Sequence, residues 1–353
     1  MRTLMQLVAI CVTAALTACS VKPASFTRGD GQVADASQLS DTQSSDAAPP
    51  PQFLSCAALA TTCGARGNDS CCNSPVVPGG TYYRSYDLAG DGISGNTSFP
   101  ATVSNFRLDK YEVTVRRFRA FVNAGMGTQS SPPVPGAGAH ANIARSGWDA
   151  SWNASLATDK AALVAAVKCN STYQTWTDTP GANEDRPMTC VTWYEGMAFC
   201  AWDGGYLATE AEWNYAATGG AEQRAYPWSI PAGALTPLDG AHASYSDGTN
   251  CVGDGTAGCS VADLVAVGTK PAGDGHWGQS DLAGNVLEWT LDSYESYVNP
   301  CTDCADLTAA LDRAVHGGSF LSDAFYMRAG YREGSAPDNR HYIIGARCAR
   351  SAP

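Results

Sequence analysis

Residues 190–220 read CVTWYEGMAFCAWDGGYLATEAEWNYAATGG. Two helices are written into this stretch, one after the other. Thr192 followed three residues later by Glu195 is a capping box, in which hydroxyl and carboxylate each satisfy an otherwise orphaned backbone N–H. Ala198, Phe199 and Trp202 then share one face, and Gly204-Gly205 ends the helix. Thr209 and Glu212 repeat the device, with Trp213 and Ala216 facing inward and Gly219-Gly220 as the stop. Glu210 and Glu212 resemble a catalytic carboxylate pair. Both fall in a first helical turn, where negative charge suits the helix dipole, and that reading is preferred.

Outward from this stretch, Thr114 caps a third helix, VRRFRAFVNA, with Phe118, Phe121 and Val122 on one face and Gly125 as its stop. Residues 81–86 and 106–113 alternate like strands. Residues 126–185 are rich in Gly, Pro and Ser, carry several tryptophans, and read as an elaborated loop region of one domain. Beyond residue 220 helical periodicity is nearly absent. The expectation is an α+β domain poor in regular structure, with short strands and long ordered loops that need bracing.

The bracing is visible in the cysteines. The chain of 353 residues has 14 of them. Setting aside Cys11 in an apolar leader and Cys19 at its end leaves an even number, which in an exported chain reads as a disulfide framework. The local groups are Cys56, Cys63, Cys71 and Cys72; Cys169 with Cys190; Cys251 with Cys259; and Cys301 with Cys304. Cys200 and Cys348 remain. A bridge between the adjacent Cys71 and Cys72 is strained, so these two are expected to pair outward. Zinc at Cys301-x-x-Cys304 needs a second ligand pair that the histidine spacing does not supply.

The leader has a basic Arg2 and an apolar run over 4–16, too short to span a bilayer. It ends in Leu16-Thr17-Ala18-Cys19, which resembles a bacterial lipobox and implies lipidation of Cys19. Residues 1–19 are thus expected to be a lipoprotein signal peptide, 20–52 a disordered tether, and 53–76 a cysteine-rich segment. The implied location is the bacterial cell envelope, with a membrane anchor at the outer membrane or facing the periplasm. A net charge of −12 argues against nucleic-acid binding.

Four separated runs carry a family resemblance: FRLDKYEVTVRRFRAFV (106–122), the stretch 190–220, GHWGQSDLAGNVLEWTLDSY (275–294), and RAVHGGSF (313–320) with GARCAR (345–350). Tyr226-Pro227-Trp228 also fits. Together they resemble the formylglycine-generating enzyme, or sulfatase-modifying factor, family. The resemblance implies one α+β domain over 77–352 with a C-type-lectin-like fold. It implies a Cys200–Cys348 disulfide. It also implies a structural calcium held by the carboxylates of Asp281 and Glu288 and the carbonyls of Gly284 and Val286, hard oxygen donors of the kind Ca²⁺ takes. The rival reading of that turn is a metal-free loop with Glu288 held by backbone N–H groups.

Active members of the family bind Cu(I) through two cysteines in the loop after GGS and oxidise a substrate cysteine to an aldehyde. The matching positions here are Ser322 and Met327. A hydroxyl is a hard ligand that cannot replace a thiolate, and one thioether is a weak copper site. Ser319 matches the family serine beside the substrate groove, and Ser319, Ser322 and Tyr326 are the groove candidates. His140, His242, His276, His316 and His341 are scattered without ligand spacing and read as hydrogen-bonding residues. A hydrolase triad of Ser322, His316 and Asp323 lacks a nucleophile elbow. The expectation is an envelope-anchored binding or scaffold module for a protein, peptide or glycan, without copper chemistry. The alternative is a formylglycine-generating or related oxidase acting on a protein or peptide.

Overall fold

The computed structural model describes residues 53–352, apart from Ala58 and Ile93. The expected signal peptide, Cys19 and the tether lie outside the described residues. The elements run β1 (Val76–Val77), β2 (Gly80–Tyr83), β3 (Pro100–Val103), β4 (Phe106–Leu108), α1 (Val115–Asn123), α2 (Lys160–Ala166), α3 (Trp193–Trp202), β5 (Tyr206–Leu207) and α4 (Glu210–Ala217). They continue as β6 (Leu287–Ser293), β7 (Cys301–Thr302), β8 (Arg313–His316), β9 (Glu333–Ser335), β10 (Ile344–Ala346) and β11 (Cys348–Ser351).

The expected helix starts hold. Thr192 and Thr209 form complete capping boxes with Glu195 and Glu212. The Thr114 hydroxyl accepts from the Arg117 N–H at the start of α1. The apolar faces meet as read: Phe118 and Phe121 of α1 lie 5.9 and 5.6 Å from Phe199 of α3, ring to ring. This aromatic layer extends through Trp193 to Trp289 on β6, and all of it is buried.

Three sheets surround these helices, in the orders β1-β4-β11-β5, β10-β6-β8-β9 and β2-β3-β7. The final strand is central to the first sheet, pairing with β4 on one side and β5 on the other. In the second, β10 runs parallel to β6 while β8 runs antiparallel, with an irregularity between Trp289 and Ser293. Mixed short sheets with few helices match the expected α+β class.

Three local readings differ. The strand expected over 106–113 ends at Leu108, because Asp109 turns inward to a buried ion network. The strand expected over 81–86 ends at Tyr83, and Ser85 sits at φ 51°, in the left-handed region. The loop region 126–185 contains a helix, α2, capped by the Asp159 carboxylate on the Ala162 N–H, and a 3-10 segment, Ala150–Ser155. Only Leu163 of α2 is buried, so no apolar periodicity announces it.

Six disulfides close the framework. Cys169–Cys190, Cys251–Cys259, Cys301–Cys304 and the long-range Cys200–Cys348 pair as expected. Adjacent Cys71 and Cys72 do pair outward, to Cys63 and Cys56. The cysteine-rich segment is part of the same body. Ser55 donates its N–H to Asp203 (2.7 Å) and accepts at its hydroxyl from Arg117 Nε (2.9 Å).

That contact belongs to a four-residue network. Arg117 bridges Asp109 (3.0 Å) and Asp203 (2.6 Å), and Arg350 pairs with the same two carboxylates. All four side chains are essentially inaccessible. Two charges of each sign balance, and the network joins the end of β4, α1, the end of α3 and β11. Replacing Arg117 by Met leaves two buried carboxylates facing one guanidinium. The expected loss is about 3–5 kcal/mol, read as a lower urea midpoint at unchanged m-value. A midpoint within error of the parent protein's would show that the network contributes no stability.

Candidate functional site

The loop that follows β8 begins at Gly317 and Gly318, both at positive φ. At φ 68°, with the Tyr326 carbonyl oxygen 3.0 Å from where a β-carbon would sit, Gly318 holds a position that favours glycine. Ser319 is fully buried. The Ser319 and Ser322 hydroxyls are 3.0 Å apart, and the Ser319 N–H donates to Ser322 Oγ at 3.0 Å. Ser322 therefore closes a turn on Ser319. Met327 is fully buried among Tyr226, Ala243, Tyr245 and Ala283, so its thioether fills a core. Tyr326 packs edge-on against Phe325 and Tyr331, and shares no hydrogen bond with either serine among the described residues. The structure thus brings Ser319 and Ser322 together and leaves Tyr326 apart. Every cysteine of the described residues is in a disulfide.

Behind the loop lies a cluster whose roles the sequence reading missed. His316, the last residue of β8, is fully buried, and its Nε2 is 2.9 Å from Glu210 Oε1. The ring stacks on Trp213 at 4.8 Å. Arg332 clamps Glu210 from the other side, at 2.5 and 2.9 Å. The Glu210 N–H donates to Asp292 Oδ2 at 2.7 Å. Burial disfavours the charged Glu210 carboxylate, but the His316 hydrogen bond and the Arg332 charge outweigh it and hold its pKa down. Burial and the neighbouring Glu210 charge push Asp292 up to about 7. The two carboxyls therefore divide roles, one anionic and one retaining a proton near neutrality. Ser322, His316 and Asp323 form no triad among the described residues: His316 Nε2 is engaged by Glu210, its buried Nδ1 bonds to neither residue, and Asp323 is exposed.

The turn of the expected calcium site is tight, with Asp281, Gly284 and Asn285 all at positive φ. Among the described residues, no backbone N–H holds the Glu288 carboxylate. Arg347 grips it as a fork, with Nη2 2.6 Å from Oε1, and Trp213 Nε1 donates to Oε2 at 2.7 Å. Asp281 Oδ2 accepts from the Gly268 N–H at 2.6 Å. A third buried carboxylate, Glu112, accepts from Asn285 Nδ2 (2.7 Å) and from the Val286 N–H (3.2 Å). Burial, then repulsion from Asp281 and Glu288, drives Glu112 well above the usual carboxylate range. Burial likewise raises Asp281 to about 6. Three buried carboxylates face the single guanidinium of Arg347, and the buried Asn285 Oδ1 and both polar atoms of the Gln279 side chain lack protein partners. The oxygens among these atoms are donors of the hard kind that a divalent cation takes. Glu288 would have to serve both the ion and Arg347. Glu112 and Arg347 were missed because their partners, at 285–288, are far away in sequence and no local pattern marks them.

The Asp292 carboxyl has a testable consequence. Its folded pKa lies above its unfolded value, so between about pH 4 and pH 7 the native state binds the extra proton. Its contribution to stability is therefore full below pH 4 and is lost as pH rises through 7. Asp292→Asn is expected to flatten that part of the melting-temperature profile; an unchanged slope would assign the proton elsewhere.

Comparison with known proteins follows the same motifs. Residues 60–352 match the family described as Sulfatase-modifying factor enzyme 1-like domain. The match begins inside the cysteine-rich segment, in keeping with the way that segment packs. The formylglycine-generating enzyme of Thermomonospora curvata is 29% identical over 78% of this chain and 92% of its own length. The inactive C-alpha-formylglycine-generating enzyme 2 of Bos taurus is 27% identical over 81% of this chain and 90% of its own. Hercynine oxygenase of Mycolicibacterium smegmatis is 26% identical over 78% of this chain, which spans 60% of that longer protein. PvdO from Pseudomonas aeruginosa shares the fold, with a TM-score of 0.52 at 20% identity over 78% of this chain and 93% of that one. With the family match running through nearly the whole described body, the chain belongs to the sulfatase-modifying factor, or formylglycine-generating enzyme, family.

Proposed function

We propose that this chain is a non-oxidising member of its family, a binding or scaffold module tethered to the bacterial envelope through lipid at Cys19. The observation that carries this reading is the state of the soft ligands. Copper–O₂ chemistry needs thiolates, and the family's two thiol positions hold a serine that closes a turn and a methionine that fills a core. The twelve cysteines of the described body are all paired, so no described thiolate stands in for them. A disulfide-braced frame with long loops suits recognition of a protein, peptide or glycan, because loops can vary while the frame stays rigid. An inactive relative at an identity close to that of the active one supports the same view. The second reading is an oxidase acting on a protein or peptide cysteine; similarity over 92% of an enzyme's length favours it.

Calcium belongs to the proposal as a structural ion. Asp281, Gly284, Val286 and Glu288 would hold it, and its charge would offset the surplus at Glu112, Asp281 and Glu288. The chain's own part is to fix the turn, through the Arg347 fork on Glu288 and the Glu112 contacts to Asn285 and Val286.

One assay separates the readings. The purified, disulfide-intact protein is supplied with Cu(I), oxygen and a peptide bearing a sulfatase-type cysteine motif, and mass spectrometry follows the aldehyde. No aldehyde is expected, while the double variant Ser322→Cys, Met327→Cys gains Cu(I) binding. Aldehyde from the unaltered protein would overturn the proposal and establish the oxidase.

Chelation tests the ion. At calcium 100-fold above its dissociation constant, binding is worth about 2.7 kcal/mol, so EGTA is expected to lower the melting temperature by roughly 5 °C or more. Asp281→Asn should abolish the response. A melting temperature indifferent to both EGTA and added calcium rules the ion out.

A further inference from the structure

A cavity of about 210 Å³ lies between the 126–185 loop region and the sheet of β6 and β8. Its floor is Trp193, Leu291 and Arg313, and its rim is Arg145, Asp149 and Trp152. The Arg313 guanidinium lies 4.0 Å over the Trp193 ring, and Trp152 meets Trp193 edge-on at 5.0 Å. Arg313 Nη1 donates to the Leu291 carbonyl at 3.0 Å and to Ser293 Oγ at 3.4 Å. Its Nε and Nη2 make no hydrogen bond to any described residue, and no described carboxylate pairs with it. Nε and Nη2 are the two parallel donors that take a carboxylate side-on.

Arg145 is exposed, forms no ion pair among the described residues, and sits at φ 61°. A residue with a β-carbon enters that region at a cost of about 1–2 kcal/mol, so the loop fixes this position against local preference. Asp149 is engaged in capping, accepting from the Ser151 N–H. Two arginines against one aspartate leave the lining with net positive charge, inside a chain whose net charge is −12. Burial also pushes the Arg313 guanidinium down, against the opposing charges of Asp292 and Asp306.

We infer that this cavity binds a carboxylate borne on a single six-membered ring: the carboxylate takes the Arg313 fork and Arg145, and the ring packs among Trp152, Trp193 and Leu291. The volume suits one ring, and Trp side chains pack well against ring faces. A sugar acid and an aromatic acid share this chemistry. The cavity is separate from the Ser319 loop, so its failure to bind would leave the absence of copper chemistry untouched.

The test is titration of the protein with glucuronate, phenylacetate and neutral glucose, followed by tryptophan fluorescence and calorimetry. Saturable binding of a carboxylate but not of glucose is expected. Preference for glucuronate assigns a sugar acid, and preference for phenylacetate assigns an aromatic acid. Arg145→Glu lies at an exposed position that should not disturb folding, and is expected to weaken binding by about tenfold or more. Trp152→Ala should weaken it as well. No saturable binding of either carboxylate, equal binding of glucose, or an unchanged affinity in Arg145→Glu overturns the inference.

Discussion

The balanced ion network of Asp109, Arg117, Asp203 and Arg350 is the constraint on which the rest of this molecule hangs. It sits where four elements and the cysteine-rich segment converge, and none of its side chains reaches solvent. In a dry site two carboxylates and two guanidiniums are tolerable only together, because removing one leaves its partners desolvated and uncompensated. The network therefore couples the order of the N-terminal segment to that of the last strand, nearly 300 residues away. The Cys200–Cys348 bridge clamps the same region covalently, from α3 to the start of β11.

Two other buried arginine–carboxylate groups repeat this logic under the loops. Arg347 forks Glu288 beneath the 281–288 turn, and Arg332 with His316 clamps Glu210 beneath the GGS loop. Trp213 links them: it donates to Glu288 and stacks on His316. The balance differs from place to place. The Asp109 network is neutral, and the Glu210 group carries enough positive charge to stay ionised. The turn with Glu112, Asp281 and Glu288 carries an excess of negative charge. A fold with so little regular structure is held by such polar anchors as well as by its apolar core.

Much of the architecture was legible because it follows from local chemistry. Thr192 with Glu195 and Thr209 with Glu212 announced their helices, and the glycine pairs announced their ends. Cysteine spacing delivered Cys169–Cys190, Cys251–Cys259 and Cys301–Cys304, since close neighbours in sequence have small loops to close, but it left the pairing among Cys56, Cys63, Cys71 and Cys72 open. Ser322 and Met327 could be read as non-thiols from the residues alone. The short helix α2 was not legible, because a helix that buries one leucine leaves no periodic trace. Nor was the end of β4 at Leu108: Asp109 leaves the strand for partners at positions 117 and 350, which no local pattern specifies.

The glutamates of the 190–220 stretch show the division most plainly. By itself the sequence determined that Glu195 and Glu212 close capping boxes and that Glu210 opens a helical turn, because those interactions span three residues. Only the tertiary structure decided that Glu195 also carries Arg340, that Glu212 meets His140 and Tyr206, and that Glu210 holds His316 and Arg332. Ionic partners are chosen by proximity in the folded core, where low polarity makes each charge demand an opposite one. That proximity is set by the packing of distant elements and leaves no periodicity in the chain.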